Sequence, residues 1–437
     1  MTQAPLIDPE LLPRLDAFMA PLMYGLPSRR ERRLAQDYVH GLLGPGERKT
    51  VAPIAQRVRG EPSVPAFESR MRAMLNDESW SHAALISEGT QRLLRQEPGW
   101  TVLTLDDTAL LKQGSHSVGV SNQYAGCVGG LANCQVVVTV GLAQEHVSAP
   151  CAARVFLPEA WCDDEKRRAE CHVPSRLKYQ AKWQLGLELL GRLQDEDVPK
   201  LPVLADSLYG DVTDFRLGLQ RREWPYVVAT SSSTKLWAPG TLFAVPPSPR
   251  AGGRPTKRLR PTAGQKPMKI AALAASMPQE AWQTVAWRYG SRGLQSGRFA
   301  AVRVRVSHGW NGTSVASEQL LDEETLLMHW PKDEPSPTKA WLSNLPADTP
   351  LNELIAYARL RWRIERDYQE SKGLVGLDHY EGRTWYGLHH HVALVVLAHQ
   401  FLALERARQI RLHELKQMPT PTDTPCDLNA PAACFSP

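Results

Sequence analysis

Two apolar runs about a hundred residues apart both end abruptly in acid: TVLTLDD at Asp106 and Asp107, and LPVLAD at Asp206. Runs this apolar persist as strands only when both faces are covered, which calls for a sheet flanked by helices. The surrounding pattern agrees. NCQVVVTVGLA and CAARVFL read as further strands around the glycine-rich turn GCVGG, and RLKYQAKWQLGLELLGRL reads as a long amphipathic helix. A helix near VTDFRLGLQ and a short strand PYVVAT follow LPVLAD. Three strands and then alternating helix and strand predict an α/β fold with a sheet of mixed direction.

Strand ends are where such folds place their chemistry, because side chains there leave the packed sheet and face a crevice. An aspartate at a turn is also a common helix cap, so one alone decides nothing. A third carboxylate comes from RWRIERDYQESK, residues 361–372. Apolar spacing in the flanks predicts one helix from about Leu351 to Lys372, with Gly373 as its stop. Arg361, Glu365, Tyr368 and Lys372 then form one stripe, and Glu370 lies well round the cylinder. By itself the stripe is a solvated face tied by ion pairs, each contributing ~0.3 kcal/mol. Brought together with Asp106 and Asp206, Glu365 would make a cluster of carboxylates that repel unless a divalent cation neutralises them. Oxygen-only ligands suit Mg²⁺ or Mn²⁺, and two such ions ~4 Å apart support displacement at phosphorus.

A chain of 437 residues with 43% hydrophobic content can bury a large core in two or three domains. Lys plus Arg number 51 against 46 acids, so distribution rather than net charge must identify a polyanion partner. Residues 1–95 read as helical and carry Arg29, Arg30, Arg32, Arg33, Arg48 and Lys49, which suits either a DNA-contacting domain or a helical cap. Residues 96–230 hold the first part of the α/β core. Residues 231–345 read as a β-rich insertion forming a smaller sheet. Its basic loop RAGGRPTKRLRPTAGQKPMK includes Arg254, Lys257, Arg258 and Arg260 and has no acid, the composition a phosphate backbone attracts through counterion release. Residues 346–414 bring the acidic helix and the last helices, and 415–437 is a Pro-rich tail expected to be disordered. His389, His390 and His391 are consecutive, point about 100° apart on a helix and cannot grip one ion.

Seven cysteines (127, 134, 151, 162, 171, 426 and 434) contain no Cys-x-x-Cys pair, which fits reduced thiols in a cytoplasm. Cys162, Cys171 and His172 match no zinc spacing. The run VALVVLA falls far short of the ~20 residues a membrane helix needs, so no membrane partner is expected.

LDDT, ADSLYGD and RWRIERDYQESKGLVGLDHYEGRTWYGLHHH closely resemble the DDE transposases of bacterial insertion sequences, in the cut-and-paste branch marked by a Tyr-Arg-Glu-Lys motif. The resemblance covers roughly residues 20–405 and includes GLLGPGERKTVAPIA and KAWLSNLP. It implies a ribonuclease-H-like mixed sheet with a β-rich insertion and an N-terminal helical domain. It also implies cleavage and joining of double-stranded DNA, at element terminal repeats and at a target, with Mg²⁺ or Mn²⁺, by a homodimer in a bacterial nucleoid. In the motif two residues separate Tyr from Arg, three Arg from Glu and six Glu from Lys. Arg361, Glu365 and Lys372 match, whereas the tyrosine position falls on Ala358, with Tyr357 one residue early. The first family acid is followed by one variable residue and a threonine, which selects Asp106 over Asp107. Asp106, Asp206 and Glu365 become the implied catalytic metal ligands, Arg361 and Lys372 the implied phosphate contacts, and Asp211 a turn or cap residue. Two rivals share these residues: a DNA-binding descendant without catalysis, and a ribonuclease-H-like nuclease that does not join strands.

Overall fold

A computed structural model describes residues 8–59, 65–245, 259–262, 265–290, 293–307, 320–331, 334 and 336–417. Five helices come first: α1 (Leu11–Leu22), α2 (Arg29–Leu43), α3 (Val51–Arg59), α4 (Pro65–Asn76) and α5 (His82–Gln96). Strands β1 (Val102–Leu111), β2 (Ser121–Ala125), β3 (Gly130–Ala143) and β4 (Ser148–Phe156) follow. Then come α6 (Glu159–Cys162), α7 (Glu165–Glu170), α8 (Lys182–Asp195), β5 (Val203–Ala205), α9 (Ser207–Gly210), α10 (Thr213–Arg221) and β6 (Tyr226–Thr230). The expected insertion contains β7 (Lys235–Trp237), β8 (Phe243–Ala244), β9 (Arg260–Pro261), β10 (Met268–Lys269), α11 (Ile270–Ser276), β11 (Gln283–Gly290), β12 (Gly293–Val306), β13 (Glu324–Trp330) and β14 (Lys339–Ser343). Helices α12 (Leu351–Leu360), α13 (Trp362–Gly373) and α14 (Trp385–Gln417) end the described chain.

The core strands lie in the order β4-β3-β1-β5-β6. β3 runs antiparallel to both β1 and β4, whereas β5 and β6 run parallel to β1. That order and mixture of directions is the ribonuclease-H-like sheet. The insertion does not form a separate small sheet as its sequence suggested. β14 pairs antiparallel with β6, and β13, β12, β7 and β10 continue outward, so among the described residues the strands join one 12-stranded sheet, with β8 and β9 pairing apart. An unpaired β6 would leave an edge of open backbone donors and acceptors, and β14 covers it.

The N-terminal helices and the sheet are joined by one buried apolar cluster extending from Leu15 to Ala407, with α14 running through it against α2, α4, α5 and β4. By length and apolarity α14 could cross a bilayer, yet 89% of its most apolar window is buried inside the protein. The three consecutive histidines point three ways, as helical geometry requires. His389 meets Trp385 O and Val155 N, His390 meets the carbonyls of Leu75 and Trp80, and His391 meets Tyr38 Oη and the carbonyls of Gly376 and Leu377. They fasten α14 to α2, α4 and β4. The described cysteines are all free thiols, and Cys171 Sγ donates to His116 O at 3.3 Å. Cys426, Cys434 and the tail from 418 lie outside the described residues.

Candidate active site

Asp206 follows the end of β5, as the sequence suggested, but Asp106 lies midway along β1, which continues to Leu111 because it keeps pairing with β3. The parallel register of β1 and β5 nonetheless sets the two aspartates side by side. Leu103 pairs with Val203, Thr104 with Leu204 and Leu105 with Ala205, and the residue after each paired stretch is an aspartate, Asp106 within β1 and Asp206 just past β5. Asp206 also caps α9, its Oδ1 accepting from Leu208 N at 3.0 Å. The cap role weighed against a site role from sequence is real, and it fixes this carboxylate at the strand end. Asp211, expected at a turn or cap, ends α9 and accepts from Thr230 Oγ1 at 2.7 Å and Ser231 N at 2.9 Å.

Consecutive strand residues point to opposite faces, which separates Asp106 from Asp107. Asp107 turns toward α8 and α9, accepting from Lys182 Nζ at 2.7 Å and Tyr209 Oη at 3.3 Å. Asp106 turns toward α13, with Arg361 Nη1 3.2 Å from its Oδ2. The helix that bears Glu365 therefore shares a face with Asp106.

Three contacts fasten α13 across β1, β3 and β4. Tyr368 Oη lies 2.6 Å from Thr139 Oγ1, Ser148 Oγ donates to Asp367 Oδ1 at 2.6 Å, and Lys372 Nζ donates to Ala109 O at 2.8 Å. Thr139 is the cross-strand partner of Asp106, so Tyr368 sits directly beside the acid. The single helix expected over 351–372 is broken at Arg361, where Ile364 N bonds Arg361 O in a tightened turn. Leu354, Ile355 and Ala358 of α12 pack with β6, β13 and β14, whereas α13 packs against β1 and β4. One straight rod cannot follow both parts of a twisted sheet, and the break turns the Arg361 side chain inward. Its other nitrogen, Nη2, bonds Glu365. Glu365 is more than half exposed, at 55%, against 15% for Asp106, so it stands at the mouth of the crevice rather than in it.

Burial, and then repulsion from Asp206, push the Asp106 carboxyl up to about 7 against the pull of Arg361. Burial also raises Asp206, opposed by Arg361 and reinforced by Asp107. Two half-buried carboxylates that repel one another are a donor set suited to a hard divalent cation. Among the described residues, no three His, Cys, Asp or Glu side chains already converge as a metal cage. The third carboxylate, Glu365, is held by Arg361 instead.

Lys372 is half-buried and engaged with β1. Arg254, Lys257 and Arg258 lie outside the described residues, and Arg260 is described only through its backbone pairing with Ala244. Ala358, at the family's tyrosine position, is buried, and Tyr357 Oη is bonded to Glu353 at 2.9 Å. Lys182, Tyr209 and Thr139 complete the surroundings of the two aspartates and were not singled out from sequence. A lysine at the head of the amphipathic α8 was the available signal.

A ribonuclease-H-like sheet with one aspartate midway along β1 and another just past β5, overlaid by a helix that carries Glu365 behind Arg361, defines a class of phosphodiester-processing folds. The family model of the DDE superfamily endonucleases matches residues 21–294, well over half the chain, and the chain belongs to that family. The matched stretch contains Asp106 and Asp206 and stops short of Glu365. No curated protein matches. Among solved structures, a piggyBac transposase synaptic complex with hairpin DNA, determined by cryo-electron microscopy, is similar at 10% identity and a TM-score of 0.39, over 94% of this chain and 80% of that one.

Proposed function

We propose that the chain is the transposase of a bacterial insertion sequence, cutting double-stranded DNA at the element's terminal repeats and joining the freed ends to a target. The observation that carries this reading is the side-by-side placement of Asp106 on β1 and Asp206 just past the parallel β5, with Arg361 joining Asp106 to Glu365 across the crevice. Asp106, Asp206 and Glu365 would hold Mg²⁺ or Mn²⁺. Such ions, when bound, activate an attacking oxygen and stabilise the departing one. Arg361 would exchange its carboxylate partners for a DNA phosphate, and Lys372 would hold β1 in place beside that strand. Tyr368 and Thr139 fix the sheet next to Asp106, and Lys182 keeps Asp107 out of the crevice. The N-terminal helices and the basic loop at 250–269 would position the duplex through its backbone, which sets register but reads little sequence. A homodimer in the nucleoid, bridging two DNA ends, completes the reading.

Labelled DNA bearing the inverted repeats that flank the coding region, incubated with Mg²⁺, tests it. Wild-type protein should cut at the repeat and insert the cut end into a plasmid, and Asp206→Asn should do neither. Retention of DNA without cutting would instead identify a non-catalytic binder. Cutting without insertion products would identify a nuclease.

A further inference from the structure

Beneath α13 the hydrogen-bond donors and acceptors do not balance. Asp367, 4% exposed, faces the sheet. Its Oδ1 accepts from Ser148 Oγ at 2.6 Å and lies 3.5 Å from His399 Nε2. Its Oδ2 is buried without a hydrogen-bond partner among the described residues. A carboxylate offers acceptors only, so this oxygen lacks a donor. Next along the helix, Tyr368 Oη and Thr139 Oγ1 lie 2.6 Å apart, and neither hydroxyl has a further partner among the described residues. Each hydroxyl brings one hydrogen, and only one of the two can lie between the oxygens. The pair therefore has a donor to spare. Ser371 Oγ, one turn on from Asp367, is already engaged with His399 Nδ1 at 2.8 Å.

The unmet acceptor and the spare donor line the same cavity. Asp367, Thr139, Tyr368 and Ser371 surround it together with apolar residues that include Val392 and Val396 of α14. It leaves about 20 Å³ open to the centre of a water molecule. One ordered water needs about 10–15 Å³ on that measure and two to four polar partners, so the space suits a single water. A dry, wholly apolar void of this size would need no occupant. Here a buried carboxylate oxygen does need one, because losing its hydration without gaining a donor is unfavourable.

We infer that this cavity is a binding site for one water molecule, which accepts the spare O–H of the Thr139–Tyr368 pair and donates to Asp367 Oδ2. The water completes one hydrogen-bond chain from Ser148 on β4, through Asp367 and Tyr368 on α13, to Thr139 on β3, the cross-strand partner of Asp106. It is thus a fixed link between the helix that carries Glu365 and the strand beside Asp106. The site goes beyond the DNA-processing reading and stands on side-chain geometry without it.

The test uses the metal-free full chain, with water itself as the probe. Magnetic relaxation dispersion of the water oxygen counts internal waters held long enough to tumble with the protein, and each variant is read against wild type. Thr139→Val or Tyr368→Phe alone leaves one hydroxyl hydrogen to meet the water, so each should keep the wild-type count. Both together remove the donor, and Val396→Ile fills the space, so the double variant and Val396→Ile should each lose one water. Circular dichroism and urea midpoints confirm that the variants fold. An undiminished count in both the double variant and Val396→Ile would overturn the site. A crystal structure of wild type that resolves ordered solvent decides the matter without any variant. Density within hydrogen-bond reach of Asp367 Oδ2 is expected, and a dry cavity would overturn the inference. Wild-type cleavage, assayed alongside, separates the two readings. If wild type holds the water and cuts no DNA, the DNA-processing reading fails and the site stands. If it cuts DNA with the cavity dry, only the site fails.

Discussion

Arg361 places Nη1 3.2 Å from Asp106 Oδ2, across 255 positions of sequence, while its other arm is bonded to Glu365. One guanidinium thus balances two carboxylates on the α13 face of the sheet, and its field also lowers Asp206. Among the described residues Arg361 is the cation paired with Asp106, while Lys182 is committed to Asp107 on the opposite face.

Cation binding at this crevice should depend on pH, because Asp106 keeps its proton up to about 7. A divalent ion must displace that proton, so affinity should rise as much as about tenfold per pH unit between about pH 5 and about pH 7, then level off. Mn²⁺ titration followed by electron paramagnetic resonance reads this directly. A flat profile would remove Asp106 from the ligand set. Arg361→Gln removes the group that holds Asp106 down, which should carry the plateau to higher pH.

The same carboxyl has a consequence for stability. Its folded pKa lies above the unfolded value of 3.8, so the native state binds the proton more tightly and the contribution is favourable at low pH. It is lost as pH rises through about 7. Asp106→Asn should therefore stabilise the metal-free protein at alkaline pH by about 1–4 kcal/mol while abolishing cleavage. Urea midpoints in chelator, compared with midpoints in excess Mg²⁺, test both halves, because bound cation should cancel the advantage of the variant.

What the sequence made legible was local. Acid-ended apolar runs and the 3.6-residue spacing around Glu365 located β1, β5 and α13 and set Asp106 beside Asp206, but β1 continues past Asp106 to Leu111 and Glu365 is held at the crevice mouth by Arg361. Non-local pairing was not legible: nothing in PYVVAT or KAWLSNLP states that β6 and β14 are neighbours, because strand partners are chosen by edge coverage across the whole sheet. The break at Arg361 was hidden for a similar reason, since helical periodicity continues through it and only the separate packing of α12 and α13 demands it. Asp107 and Lys182 illustrate the remaining gap. Alternation predicts that Asp106 and Asp107 diverge, but which of them meets α13 depends on a helix more than two hundred residues away.

The buried histidines set the acid limit of the fold. Burial holds His389 at about 3 and His390 and His391 at about 4, below the 6.5 of an unfolded chain. Because the unfolded state binds protons first, stability is complete above 6.5 and should fall as pH drops toward 4, by about 1.4 kcal/mol per pH unit for each histidine. Urea midpoints across that window test the sign and the slope. His389→Gln combined with His391→Gln should flatten the decline even if it lowers the plateau. An unchanged slope would place the acid sensitivity elsewhere.

Arg216 and Glu324, both 3% exposed at the side chain, tie α10 to β13 through a 3.1 Å pair, and Tyr226 Oη donates to the same carboxylate at 2.7 Å. This connection couples the added strands to the core beside α9. Glu324→Ala leaves a buried guanidinium uncompensated and should cost about 3–5 kcal/mol. Replacing both partners with apolar residues, Arg216→Met with Glu324→Leu, should recover much of that loss. Denaturant midpoints measure the recovery, and protease cleavage between β6 and β14 reports whether the added strands detach first.

Gly210 governs how near Asp206 can sit to Asp106. It closes α9 directly over β6, where a Cβ would stand 1.9 Å from Ala229 O, a backbone atom that cannot move aside alone. Gly210→Ala must therefore push α9 outward, and with it the cap formed by Asp206 and Leu208. The expected result is a folded but weakened protein whose DNA cleavage falls at least about tenfold, since displacements near 1 Å are enough to misalign a reacting group. Mn²⁺ affinity should fall with it, because Asp206 moves relative to Asp106. Normal metal binding together with normal cleavage in a folded Gly210→Ala protein would show that the close approach of α9 to β6 does not position the site.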